Sequence, residues 1–226
     1  STAEHTVGLM LSLAKNITLA DKRIRGLDIP FQQLQGMELL GRTFGVIGLG
    51  RIGRRVAEIC DNGILMNVIG YDPFVQADAL SHIKMNLVDN LDTIFEQSDI
   101  VTIHVPVLAD TRHLVNEKRL RQMKQGAVLI NAGRGALVDE AALYQALQDG
   151  HLSGAALDVF EVEPPEPTNP LFQLNNVVVT PHISSYTDSG LSGMGHGVVD
   201  QLIDIFEGRM PVSLVNRNTW PGRLNI

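Results

Sequence analysis

Apolar residues in this chain gather into short runs separated by longer stretches with helical spacing. The runs at 44–47, 67–71, 100–103, 127–130, 155–157 and 177–179 predict strands, with a weaker one at 83–85. Strands and helical patterns that alternate in this way predict a parallel sheet covered on both faces. The clearest helix starts at Asp139, a capping residue, runs through Ala142, Leu143, Ala146 and Leu147, and stops at Gly150. Near the start, the apolar pattern from Val7 to Ala14 carries on past Lys15 to Ile17, Leu19 and Ala20. No basic segment precedes it, so a packed helix is a better reading than a signal peptide. The chain opens inside this pattern without Met and therefore reads as a fragment of a longer protein. Repeats and low-complexity tracts are absent, and residues 163–167 (Glu-Pro-Pro-Glu-Pro) form a rigid, acidic, non-helical segment. The expected fold is α/β: one doubly wound parallel sheet of the Rossmann type.

Composition narrows the function classes. The chain has 226 residues with 44% apolar content, enough for one sizeable core or one domain with a small appendage. A net charge of −7 without a basic tract argues against nucleic acid or an anionic membrane as partner. Cys60 is the only cysteine, which leaves no disulfide framework and no thiol metal site, and fits a cytoplasmic enzyme core.

The most informative motif is Gly48-Leu49-Gly50-Arg51-Ile52-Gly53, directly after the first strand and before a helical pattern at Val56, Ala57, Ile59 and Cys60. Gly48 permits the tight turn, Gly50 lets backbone N–H groups approach a pyrophosphate, and Gly53 lets helix and strand pack closely. The phosphates then meet the positive end of a helix. Asp72 ends the second strand about 20 residues further on, where an acid holds the ribose hydroxyls of the adenosine. A carboxylate there repels a 2′-phosphate, so NAD is the expected cofactor rather than NADP. The strand, helix and acid in register separate this motif from a chance glycine cluster.

In a doubly wound sheet the ligand lies beyond the carboxyl ends of the strands. The residues there are His104-Val105-Pro106, Asn131-Ala132-Gly133-Arg134-Gly135, Asp158 with Glu161 and Glu163, and Thr180-Pro181-His182. Together with the glycine motif, Asp72 and the opening Thr2-Ala3-Glu4-His5, this order resembles the D-isomer-specific 2-hydroxyacid dehydrogenases, which include D-lactate, glycerate, phosphoglycerate and formate dehydrogenases. The resemblance implies a catalytic set of Arg134, Glu163 and His182. It puts His104 and Ala132 along the nicotinamide half of the cofactor and Asp158 near its carboxamide. Pro106 and Thr111 join the cofactor-binding residues, as do Arg134 and His182.

The chemistry asks for these residue types. Reducing a 2-keto acid needs a hydride, a proton for the oxygen and an anchor for the carboxylate. Histidine titrates near neutral pH and suits the proton; Glu163 beside it would favour the imidazolium and fix its tautomer. Arg134 offers a planar fork for a carboxylate and a positive charge for the developing oxyanion. Taken singly, each residue has a plainer reading: a surface-turn Arg between glycines, a solvated loop Glu, a Pro-His pair ending a strand. His104 reads equally well as a partly buried strand-end histidine. His5, His82, His113, His151 and His196 receive no role.

The resemblance also divides the chain into an interdomain helix (1–20), an NAD-binding Rossmann domain (21–208) and a tail belonging to the substrate domain (209–226), of which only the beginning is expected here, around Val215-Asn216 through Trp220 to Ile226. The other lobe of such enzymes is missing, so the chain is expected to bind NAD with impaired turnover. The expected substrate is a small 2-keto or 2-hydroxy acid, and the opening helix with the Lys22 to Gln35 segment resembles the family's homodimer contact. Two other classes stay open: a nonenzymatic NAD sensor like the dehydrogenase-like transcriptional corepressors, and another NAD oxidoreductase. A short-chain dehydrogenase is disfavoured, because Tyr71, Tyr144 and Tyr186 precede Val75, Gln148 and Gly190, not lysine, at a spacing of four.

Overall fold

The computed structural model describes residues 1–76, 80 and 83–220. His82 and the end of the expected tail, 221–226, lie outside the described residues. The chain forms two compact units, one of residues 2–184 and one of Ser1 with the residues from Ser185 onward.

Among the described residues, the first unit holds seven strands: β1 (Thr43–Ile47), β2 (Asn67–Tyr71), β3 (Met85–Leu87), β4 (Ile100–Ile103), β5 (Val128–Asn131), β6 (Gly154–Leu157) and β7 (Val177–Val179). They lie in the order β3-β2-β1-β4-β5-β6-β7, and every neighbouring pair is parallel. The chain works outward from β1 to β3, then returns to the other side of β1 as β4. That reversal opens a crevice at the carboxyl ends of β1 and β4.

Side chains alternate between two buried layers, as the two-residue strand period requires. Phe44, Val46, Ile100, Val128, Ile130, Ala156 and Val178 point to one layer. Ile47, Val101, Ile103, Leu129, Ala155 and Leu157 point to the other. Helices α1 (Thr2–Ala14) and α3 (Arg51–Ile64) contribute to the first layer. Helices α4 (Leu91–Gln97), α5 (Glu117–Gln122) and α6 (Glu140–Gln148) contribute to the second. With both faces covered, the strands read as apolar runs. The cap expected at α6 is present: Asp139 accepts the Ala142 N–H at 3.0 Å, and Gly150 adopts a positive φ just past the helix.

Two elements differ from the sequence reading. The opening helix does not continue to Ala20; it ends at Ala14, and α2 (Ile17–Ile24) follows after a break. Asn16 sits in the left-handed region at φ 52°, its side chain donates to Gln35 O at 3.0 Å, and Met37 N–H donates to Ala14 O at 2.7 Å. The returning chain occupies the carbonyl that a continuing helix would use. The weak third strand lies two residues later than expected, because Ile83 is tied into a turn (its N–H on Leu80 O) and Met85 is the first residue to pair, with Val68. A shift of two keeps the same side chains on the same face.

The second unit holds α7 (Asp188–Phe206), capped by Thr187, whose Oγ1 accepts the Gly190 N–H at 3.0 Å. A short 3-10 turn at Arg217–Thr219 follows. No described helix is long and apolar enough to cross a membrane.

Candidate active site

The first half of the site is the turn from β1 into α3. Gly48 has φ +89°, and a Cβ there would sit 2.7 Å from the His104 carbonyl oxygen. A Cβ on Gly53 would lie 2.0 Å from Gly48 O, so the helix can approach the strand this closely only without a side chain. At Gly50 the requirement differs: a Cβ would meet nothing within 4 Å, and the residue starts a 14-residue helix without a side-chain cap. The first-turn N–H groups of α3 are therefore left for a ligand, at the end where the helix dipole favours negative charge. Arg51 and Ile52 stand exposed in that first turn.

Asp72 closes the other side of the turn. Its Oδ2 accepts the Leu49 N–H at 2.8 Å and its Oδ1 accepts the Phe74 N–H at 2.9 Å, so the acid shapes the glycine turn and keeps spare lone pairs. Gly48, Gly50, Asp72, His104, Pro106 and Thr111 line one cleft of about 480 Å³, with Tyr71, Phe74, Leu91 and Leu108 as apolar walls. Thr111 Oγ1 donates to Pro106 O and accepts from Leu108 N–H, both at 2.7 Å, which folds the loop after β4 into one wall and leaves one lone pair. β4 ends at Ile103, ahead of Pro106; the last ladder bond runs from His104 N–H to Ile47 O at 2.7 Å. His104 turns its nitrogens inward, with Nε2 3.0 Å from the Thr102 hydroxyl and Nδ1 enclosed without a partner. Burial pushes its pKa down to about 4.

The second half lies beyond β5, β6 and β7. Ala132 is buried, while Arg134 is exposed and donates from one guanidinium nitrogen to Gly133 O at 2.8 Å. Asn131 holds this turn: its Oδ1 accepts the Gly133 N–H at 3.0 Å, and its Nδ2 donates to Arg134 O at 2.9 Å. Gly135 packs so tightly that a Cβ would lie 1.8 Å from Phe160 O. Phe160 N–H in turn donates to Glu163 Oε1 at 3.1 Å. The loops that carry Arg134 and Glu163 are thus packed backbone to backbone.

Glu163 and His182 meet directly, Oε2 to Nδ1 at 2.7 Å, with both side chains more than a third exposed. An ionised carboxylate can only accept, so Nδ1 carries the hydrogen of this bond and Nε2 is the ring nitrogen that Glu163 does not engage. Asp158 has no exposed side-chain surface. Its Oδ1 accepts from the Thr180 hydroxyl at 2.6 Å and from Ile183 N–H at 2.9 Å, and its Oδ2 from Ser184 N–H at 2.9 Å. Burial would raise the Asp158 pKa, but these bonds outweigh it and hold the carboxyl below its ordinary value.

Two sets of residues therefore stand apart. The glycine turn, Asp72, His104, Pro106 and Thr111 share the cleft, whereas Ala132, Arg134, Asp158, Glu163 and His182 lie along the ends of the last three strands. Asn131 and Gly135 fell within a recognised motif, yet their work is visible only in the folded contacts. His5 and Thr180, which bond each other at 3.0 Å, stand in segments that the sequence singles out, but nothing local signals that the two meet.

The observations fit a bound dinucleotide: an open glycine at an uncapped helix start, a carboxylate at the end of β2 and a cleft between them. The family described as D-isomer specific 2-hydroxyacid dehydrogenase, NAD binding domain, matches residues 7–184. The chain is 43% identical over 212 residues to the D-3-phosphoglycerate dehydrogenase of Archaeoglobus fulgidus, covering 94% of this chain and 40% of that one. It is 44% identical to the glyoxylate reductase of Thermofilum pendens, covering 96% and 65% respectively. The crystal structure of a D-isomer specific 2-hydroxyacid dehydrogenase from Lactobacillus delbrueckii ssp. bulgaricus, in its NAD complexed form, superimposes with a TM-score of 0.83 at 32% identity, covering 95% of this chain and 68% of that one. The chain spans between two fifths and two thirds of the length of these curated relatives. It belongs to the D-isomer specific 2-hydroxyacid dehydrogenase family, whose NAD binding domain it carries.

Proposed function

We propose that this chain is the nucleotide-binding part of an NAD-dependent oxidoreductase that moves hydride between NAD(H) and a small 2-hydroxy or 2-keto acid. The observation that carries the reading is the 2.7 Å Glu163–His182 pair, set at the same sheet edge as an uncapped glycine turn. Bound NAD(H) supplies or accepts the hydride. Gly48, Gly50, Arg51, Ile52 and Gly53 form the diphosphate turn, and Asp72 takes the ribose hydroxyls and disfavours a 2′-phosphate. His104, Pro106, Thr111, Ala132 and Asp158 complete the cofactor-binding set, together with Arg134 and His182.

His182 gives a proton from Nε2 to the carbonyl oxygen in reduction and recovers it in oxidation. Glu163 keeps the ring in the tautomer that leaves Nε2 available. Arg134 offers the substrate carboxylate a two-pronged donor and stabilises negative charge on the oxygen. Residues 1–20, α1 with the start of α2, act as the interdomain segment, 21–208 as the NAD-binding domain and 209–226 as the tail that belongs to the substrate domain. Exposed Ile24, Leu27 and Phe31 support a homodimer contact through the segment after α1. One free, buried cysteine supports a cytoplasmic setting.

The test is oxidation of NADH by the chain mixed with glyoxylate or hydroxypyruvate. The reading expects a rate above the enzyme-free blank that falls roughly 10²–10⁴-fold in His182→Gln, with NADH affinity retained. A rate that His182→Gln leaves unchanged contradicts it, and a turnover of about one per second or faster contradicts the expected impairment.

A further inference from the structure

A histidine without a part in that chemistry reaches the same strand ends. His5, on α1, places Nε2 3.0 Å from Thr180 Oγ1 and 3.5 Å from Asp158 Oδ1. The Thr180 hydroxyl has a single proton, and it goes to Asp158 Oδ1 at 2.6 Å. The hydroxyl can therefore only accept from His5, which fixes Nε2 as the protonated nitrogen of that ring. Asp158 then holds Ile183 N–H on one carboxylate oxygen and Ser184 N–H on the other. Its backbone carbonyl accepts His182 N–H at 2.7 Å. A one-way chain of donors thus runs from His5 through Thr180 to Asp158, and Asp158 pins three consecutive amides. His182 has φ +56°, a conformation that a non-glycine residue keeps only where its surroundings impose it.

We propose that His5 is a positioning residue: acting through Thr180 and Asp158, it holds the 182–184 turn so that His182 Nδ1 stays on Glu163. The inference deepens the acid–base reading of His182 and rests on it. It also ties α1 to the acid–base turn, so a displacement of α1 that lengthens the 3.0 Å contact loosens His182.

Hydrogen exchange and NMR of the whole chain, without cofactor, test this. His5→Phe keeps a ring and removes the donor; His5→Gln keeps a donor of similar reach. In His5→Phe, exchange at Ile183 and Ser184 is expected to quicken about tenfold, the size of one lost hydrogen bond to a charged network. The downfield Nδ1–H signal of His182 broadens, while the amides of Leu129 and Ile130 in the sheet centre keep their rates. His5→Gln recovers most of the protection. Unchanged rates at 183 and 184, equal acceleration at 129 and 130, or a His5→Gln as fast as His5→Phe would each overturn the proposal. Should His5→Phe fail to fold, Thr180→Ser against Thr180→Val makes the same comparison, because serine keeps the relay and valine breaks it. A wild-type chain that protects these amides but binds no NADH defeats the functional reading alone. A chain that binds NADH while the variants leave 182–184 unmoved defeats only the role of His5.

Discussion

The three glycines of the turn do different physical work, and substitution separates them. Gly53→Ala drives a methyl into the Gly48 carbonyl and should lower the unfolding free energy by roughly 1–3 kcal/mol or more, measured by urea denaturation. Gly50→Ala meets open space, so stability should change by less than about 1 kcal/mol while NADH binding weakens tenfold or more, because the methyl stands where the diphosphate must approach. Equal stability losses in the two variants would contradict this division. Two titrating groups give an acid limb. His104 is held neutral by burial with a pKa of about 4 against an ordinary 6.5. The unfolded chain therefore binds a proton that the folded chain refuses as pH falls from about 6.5 to about 4, and stability drops by up to about 3 kcal/mol across that window. Asp158 has the opposite chemistry and the same sign: its lowered pKa adds stability above the ordinary carboxylate range, which is lost as pH falls through its folded value. His104→Gln should flatten the limb above pH 4, and Asp158→Asn the part below it, in unfolding curves taken at a series of pH values.

Among the elements, those whose signal is local are legible in the sequence. Buried strands show as apolar runs because both faces are covered, and α6 shows because Asp139 and Gly150 punctuate it. The end of α1 is not legible: the apolar pattern continues through Ile17 and Leu19, and the break comes from the returning chain taking the Ala14 carbonyl. The same limit applies to the site. Arg134, Glu163 and His182 are found as polar residues just past strands, and Asp72 by its spacing from the glycines. Asn131 and Gly135 act through contacts across a turn or to Phe160, and the His5–Thr180 bond joins residues 175 positions apart, so the local pattern places these residues near strand ends or in the opening helix but marks none of their contacts. Asn131→Ala tests this layer: with its buried amide gone, the Arg134 turn loses both bonds. Stability should fall by about 1–3 kcal/mol, and NADH oxidation should fall more steeply than NADH binding.

For the whole molecule, everything depends on where the sheet reverses. The order β3-β2-β1-β4-β5-β6-β7 puts the glycine turn and Asp72 on one side of that point and the Arg134, Glu163 and His182 ends on the other, along one edge of a single parallel sheet. A dinucleotide bridging the reversal would join the two halves; without one, the acid–base role proposed for Glu163 and His182 has no hydride source. Calorimetric titration of the chain with NADH and with NADPH, repeated on Asp72→Ala, tests that directly. The account predicts saturable one-to-one binding of NADH, NADPH weaker by about tenfold or more, and a variant in which the two nucleotides bind alike. Absence of NADH binding, or a preference between the nucleotides that Asp72→Ala leaves untouched, would contradict it.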